Sequence, residues 1–97
     1  MKVRILRLAH VSIMDGYEFY ENRSLGLGGH FFKSIMEDIH ALKISGGAHP
    51  LVPEGYHRKI CKRFPYSIFY KVEGSDIKIY RVLDNRRDPE WISDKLN

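Results

Sequence analysis

The stretch 63–72 restricts most strongly what this chain can form. From Tyr66 to Val72 apolar side chains alternate with polar ones, which is typical of a strand with one buried face. Proline has no N–H group to donate to a sheet, so Pro65 belongs at the first residue of this strand. We therefore predict that the central strand of a small sheet begins here. Its buried side would carry Tyr66, Ile68, Tyr70 and Val72.

One strand and two helices are predicted before the central strand. The first strand runs from about Lys2 to Leu8, with apolar residues on both faces. Ser12 is interpreted as the N-cap of a first helix at about 12–22. A second helix, at about Gly29–Leu42, has the clearest helical spacing. Its apolar stripe would consist of Phe31, Phe32, Ile35, Ile39 and Leu42.

Two more strands and a short helix are predicted from the remaining residues. Glycine and proline indicate a loop at 45–55, before a strand at Tyr56–Lys62. Gly74 indicates a hairpin turn. The last strand, at about Ile77–Leu83, would carry Ile77, Ile79, Arg81 and Leu83 on one side and Lys78, Tyr80 and Val82 on the other. A closing helix at Pro89–Lys95 would have Asp88 as its N-cap and proline at its first position.

These elements predict an α+β fold with a small antiparallel sheet, in the order strand, helix, helix, strand, strand, strand, and then the short C-terminal helix. Both long helices would pack on one face of the sheet and leave the other face partly open. With 97 residues the chain is long enough for one modest core, so we predict a single domain over residues 1–97. The expected functional surface is a shallow basic concavity.

The positive charge is concentrated in the second half of the chain. Residues 51–97 contain ten Lys and Arg against seven Asp and Glu, while residues 1–50 contain six against five. The segment 57–63 has four cations and no acidic residue. Such a segment can face phosphates or an acidic partner protein, or it can be a solvated strand edge on which lysine prevents edge-to-edge pairing.

Membrane, metal and cofactor functions find no support in the sequence. There is no apolar run of membrane-spanning length and no signal peptide, so a cytoplasmic location is expected. Cys61 is the only cysteine, so it cannot form an internal disulfide and is interpreted as a small apolar side chain in a strand. The glycines at 26, 28 and 29 fit no phosphate-binding fingerprint. We expect no metal, cofactor or small-molecule substrate.

An ordered set of short motifs covers nearly the whole chain. It comprises Phe19-Tyr20-Glu21, Gly26-Leu27-Gly28 before Phe31 and Phe32, a basic strand with Arg58, Arg63-Phe64-Pro65-Tyr66 through Tyr70, and the segment 82–89. This set resembles the RelE/ParE superfamily of bacterial type II toxin–antitoxin toxins and plasmid stabilisation proteins. The resemblance implies a small toxin that a cognate antitoxin wraps and holds inactive. One branch of the family cuts mRNA on the ribosome, and another poisons DNA gyrase.

The residues that the ribonuclease branch commonly uses are different in this chain. RNA cleavage without a metal needs a base, an acid and cations around the phosphorus. The branch commonly has an arginine three residues before the tyrosine of the central strand, and a tyrosine or histidine near the C-terminus. Those places hold Ser67 and Ile92 here, and Asp84 stands where a histidine is common. If the chain is an enzyme, it is a metal-independent endoribonuclease.

The candidate site residues follow from the same resemblance. The candidate catalytic residues are Asp84, Arg63 and Arg86, and His57 is an alternative base or a surface histidine. The candidate contacts to nucleic acid or to another target are Arg58, Lys62, Arg63, Arg81, Arg86 and Arg87.

Three hypotheses on function remain open. The chain is a toxin that binds gyrase or another macromolecule, a ribosome-dependent mRNA endoribonuclease, or a non-toxic module that binds nucleic acid or a partner. The cognate antitoxin is the expected partner, and the open sheet face and the groove beside the second helix are its expected docking surface.

Overall fold

The computed structural model describes residues 1–97. Its elements are β1 (Lys2–Ile5), α1 (Arg7–Arg23), α2 (Leu27–Ser45), β2 (His57–Ile60), β3 (Tyr66–Glu73), β4 (Asp76–Asp84) and α3 (Pro89–Leu96). The strands form one sheet in the order β1-β4-β3-β2. The predicted α+β fold is confirmed. The sheet is mixed rather than wholly antiparallel, because β1 pairs in parallel with β4 while β2, β3 and β4 are antiparallel.

The first strand is shorter, and the first helix longer, than predicted. Helix α1 begins at Arg7, so Ser12 lies within it rather than at its N-cap. The Ser12 hydroxyl donates to the Ala9 carbonyl at 2.9 Å and accepts from the backbone N–H of Val82 at 3.0 Å. Because β1 ends before β4 does, this hydroxyl satisfies a strand N–H that has no neighbouring strand. The interpretation of Ser12 as an N-cap was therefore wrong, because its hydroxyl makes a tertiary contact with β4.

An aromatic cluster fills the space between the long helices and the sheet. Phe31 is fully buried, and its ring centre lies 5.2 Å from those of Tyr20 and Phe64 and 4.8 Å from that of Tyr66. Gly16 of α1 faces this ring, and a Cβ atom there would lie 2.5 Å from the Phe31 Cζ. A glycine that weakens an isolated helix therefore allows α1 to approach α2 closely.

A β-bulge in β4 moves the residues that follow it to the face of the sheet opposite to the predicted one. Phe69 of β3 pairs with Arg81, but the next residue, Tyr70, pairs with Ile79. Residue 80 is therefore extra, and the alternation of β4 changes phase there. Val82, predicted to lie on the side opposite Ile79, is buried with it in the main core.

The second face of the sheet is partly covered. Phe69, Leu83 and Leu96 form a small buried cluster, against which Trp91 and Ile92 of α3 pack. Because β3 contacts the long helices on one face and this cluster on the other, it is buried on both faces from Tyr66 to Tyr70. No helix in the structure combines the length and the apolar character that are needed to cross a membrane.

The loop between α2 and β2 is tied to the sheet through Tyr70. Its hydroxyl accepts from the Gly47 N–H at 3.0 Å and is hydrogen-bonded to the His49 Nδ1 atom. The ring of His57 stacks on Tyr70, and its Nδ1 bonds the His49 carbonyl at 2.7 Å. Since a carbonyl only accepts, that His57 nitrogen donates. The Tyr70 hydroxyl oxygen accepts from the Gly47 N–H, and its own proton is directed to the Nδ1 atom of His49. That nitrogen can accept the proton only when the His49 imidazole is neutral.

This arrangement predicts a loss of stability in mild acid. Burial, followed by the charges of Lys59 and His57, lowers the pKa of His49 from its ordinary 6.5. His49 therefore binds a proton more readily in the unfolded chain than in the folded one. The stability that neutral His49 contributes to the fold is present above pH 6.5 and is lost as the pH falls. Loss of the Tyr70–His49 hydrogen bond should cost about 1 kcal/mol.

Urea unfolding near pH 7.5 and near pH 5.5 would measure this loss. His49→Gln should reduce the difference between the two pH values, while the control His40→Gln, at an exposed position on α2, should leave it unchanged. An equal pH dependence in wild type and His49→Gln would contradict the role of His49.

Candidate functional site

The predicted contact residues are spread over three clefts. Lys62 and Arg63 line a cleft of about 120 Å³ beside α2. Arg58 lines one of about 310 Å³ next to α3. Arg81 lines one of about 340 Å³ between α1 and α3, and Arg87 lines this cleft and the second one. Side chains alternate along β2, so the basic segment 57–63 does not form one patch.

Lys59 of this segment is buried beneath α2. Its Nζ atom donates to the Asp38 carbonyl at 2.7 Å, and the buried Asp38 carboxylate accepts from the Lys62 backbone N–H at 3.2 Å. Burial lowers the pKa of Lys59, while the Asp38 charge opposes this. Cys61 is buried next to them, one residue past β2, and burial followed by Asp38 raises its pKa to about 12. The thiol is therefore a poor nucleophile near neutral pH.

Arg58 belongs to a hydrogen-bonded network on the opposite face of the sheet. Its Nε donates to the Ser67 hydroxyl at 2.9 Å, and its Nη2 donates to the Asn85 side-chain oxygen at 2.8 Å. The Ser67 hydroxyl donates to the same Asn85 oxygen at 2.7 Å, and Ser67 is fully buried. The sequence analysis missed Asn85, because only folding brings the end of β4 next to Arg58.

Asp84 and Arg86 form a two-point ion pair. Arg86 donates from Nε at 3.0 Å and from Nη2 at 2.8 Å to the two Asp84 oxygens, and its backbone N–H adds a bond of 2.8 Å. Burial raises the pKa of Asp84, but the hydrogen bonds and charge of Arg86 outweigh it and hold this pKa below its ordinary value. Asp84 is thus a weak base, and its charge compensates that of Arg86.

The structure does not place Arg63, the third candidate catalytic residue, with this pair. Arg63 makes an exposed ion pair of 3.3 Å with Glu37 of α2. The cleft that it lines shares no residue with the cleft that Asp84 lines. Asp84 and Arg86 are brought together, whereas Arg63 belongs to another part of the surface.

The cleft between α1 and α3 has apolar walls and a cationic rim. Arg87 lies over the Trp91 ring, 4.1 Å from its centre, and Lys95 lies 5.4 Å from the same centre. Arg81 donates to the Lys95 carbonyl at 3.1 Å. Trp91 and Lys95 were not among the predicted site residues. The spacing of four residues from Arg87 to Trp91 and from Trp91 to Lys95 was the available signal.

Comparison with known proteins identifies the fold. No protein-family model matches the chain, and no curated protein matches its sequence. Among solved structures, a chain of the chromosomal ParDE TA system from P. aeruginosa superposes with a TM-score of 0.71 at 22% identity, over 84% of this chain and 92% of that one. This chain has the fold of that protein. The predicted resemblance is thereby confirmed at the level of fold.

Potential metal ligands are scattered through the structure. No group of three or more His, Cys, Asp or Glu side chains is arranged to hold a metal ion.

Proposed function

We propose that this protein is the toxin of a bacterial type II toxin–antitoxin module, and that it inhibits growth by binding gyrase or another macromolecular target. A cognate antitoxin neutralises it. The observation that carries this proposal is the likeness in fold to a chain of the ParDE TA system, because it extends over 84% of the chain. Fold alone does not determine function, so the choice of target in this proposal is argued from the geometry of the site.

The surroundings of Ser67 favour a protein target over RNA cleavage. Ser67, at the position where the ribonuclease branch commonly has arginine, is fully buried and bonded to Arg58 and Asn85. A cation that stabilises a phosphorane must reach the phosphate, and this position offers none. Ile92, where a tyrosine or histidine is common, packs on the apolar cluster under α3.

The predicted contact residues differ in whether their charged side chains already have partners inside the protein. Arg58, Arg63 and Arg86 are hydrogen-bonded to other side chains. Lys62, Arg81 and Arg87 make no ion pair, although Arg81 donates to the Lys95 carbonyl. In this proposal the cations without an ion pair contact the target or the antitoxin. In the alternative ribonuclease, Asp84 would act as base beside Arg86, and Arg63 would contact the RNA.

The first experiment tests for toxicity. Induced expression in a bacterial host is expected to stop growth, and co-expression of the small acidic protein encoded next to this gene is expected to restore it. The control is the same gene with an early stop codon. Normal growth on induction of a soluble, folded product would overturn the proposal in favour of a non-toxic binding module.

The second experiment distinguishes the targets. Purified toxin is expected to inhibit supercoiling by gyrase or to trap cleavage complexes, while mRNA on translating ribosomes remains intact. Cleaved mRNA together with unaffected gyrase would establish the ribonuclease alternative. In that case Asp84→Asn should abolish cleavage, because an amide cannot accept the proton.

A further inference from the structure

We propose that the cleft between α1 and α3 binds an acidic segment of the antitoxin that inserts one apolar side chain. The inference rests on the proposed function for the class of partner and deepens it by assigning the site and its chemistry. Three observations support it: the walls of the cleft, its unpaired cations and its carboxylates.

The walls of the cleft suit an apolar side chain. Phe19 of α1, Tyr66 of β3 and Trp91 of α3 line it. Phe19 is 40% exposed, and although Arg23 lies over its ring, it adds apolar surface to the wall of the cleft. A volume of about 340 Å³ accommodates a side chain with part of its backbone.

The rim carries three cations that form no ion pair. Arg81, Arg87 and Lys95 all line the cleft, and none of them makes an ion pair. The stacking of Arg87 on Trp91 positions its guanidinium group without using its N–H donors. Those donors are therefore available to a carboxylate, which they can bind with two parallel hydrogen bonds.

The carboxylates of the cleft favour a peptide over a nucleic acid. Asp15 and Asp84 also line it. Arg86 compensates the Asp84 charge, but Asp15 makes no ion pair and would repel a phosphate backbone passing through the cleft. A peptide can avoid them by placing its apolar side chain there and its acidic residues at the rim. The net charge of +4 makes a second copy of this chain a poor occupant.

The test uses a fluorescein-labelled, capped peptide with leucine and phenylalanine between acidic residues. It is expected to bind the full-length protein saturably by fluorescence anisotropy, and more weakly as salt rises. Trp91 is the only tryptophan, so the unlabelled peptide should change the intrinsic fluorescence and thereby locate binding at this cleft. A peptide with lysine in place of the acidic residues, and one with serine in place of the apolar residues, should bind at least about tenfold more weakly.

Matched variants locate the site. Arg87→Glu should weaken binding of the acidic peptide by about tenfold or more, and Lys95→Glu is a second rim variant in case the first fails to fold. Lys33→Glu, at an exposed position on α2 and outside this cleft, should leave binding unchanged. An Arg87→Glu protein that folds and binds as wild type does would overturn the proposal.

A single-stranded RNA oligonucleotide is the competing probe. If it displaces the acidic peptide and binds more tightly than the peptide, the cleft is a nucleic-acid site and the proposal fails. The peptide assay does not depend on toxicity. Peptide binding without growth arrest would refute the proposed function alone, and growth arrest without peptide binding would refute this inference alone.

Discussion

Replacing Phe31 with alanine should lower the free energy of unfolding by about 3–5 kcal/mol. The side chain is fully buried, and it contacts the rings of Tyr20, Phe64 and Tyr66. The substitution removes apolar area from the core and leaves a cavity between α1, α2 and the sheet, and it also removes the favourable edge-to-face geometry of these rings. Urea or thermal unfolding measures the loss.

The adjacent residue is a matched control. Phe32 also belongs to the predicted stripe of α2, but it is 39% exposed. Phe32→Ala should therefore cost less than about 1 kcal/mol. Similar losses at the two positions would contradict the assignment of Phe31 as the centre of the core.

Asp38→Asn is expected to destabilise the protein by about 2 kcal/mol. Asp38 and Lys59 are both buried, and the carboxylate is the nearby charge that favours the protonated amine. Without it, the Lys59 charge remains in a buried position with only the Asp38 carbonyl as its side-chain hydrogen-bond partner. Asp38 and Lys59 form no direct ion pair, but removal of this carboxylate leaves the buried Lys59 charge without the nearby negative charge that opposes its desolvation.

A double-mutant cycle tests this explanation. Lys59→Met removes the remaining charge, so the Asp38→Asn, Lys59→Met protein should recover most of the lost stability. Glu37→Gln is the control, since it breaks the exposed pair with Arg63 and should change stability by less than about 0.5 kcal/mol. A double variant as unstable as Asp38→Asn would show that the loss does not arise from the Lys59 charge.

The arrangement of the arginines bears on how such a protein can act. Arg58 supports the sheet through Ser67 and Asn85, and Arg86 is held by Asp84. These groups stabilise the fold at the places where a ribonuclease needs free cations and an available base. Two of the cations without an ion pair, Arg81 and Arg87, line instead the cleft that contains Trp91, where we propose that an acidic protein segment binds, while Lys62 lines the cleft beside α2.

The sequence predicted the elements with strong local signals. The spacing of Ile35, Ile39 and Leu42 indicates α2, and Asp88-Pro89 indicates the start of α3, because both depend on residues that are close in the chain. The prediction of Ser12 as an N-cap was wrong, because its hydroxyl accepts from the backbone N–H of Val82 in a distant strand. The predicted sides of β4 were wrong because a bulge at residue 80 changes the alternation.

For the candidate site, the sequence supplied the charged residues but not their grouping. It predicted Arg58, Arg86 and Arg87 as contacts, and it could not distinguish hydrogen-bonded side chains from free ones, because their partners lie up to 66 residues away in the chain. Local periodicity and the number of cations are properties of the chain itself. The tertiary structure alone decided that Lys59 is buried and Arg87 is free, since strand alternation and helix packing determine which charges lose their contact with water.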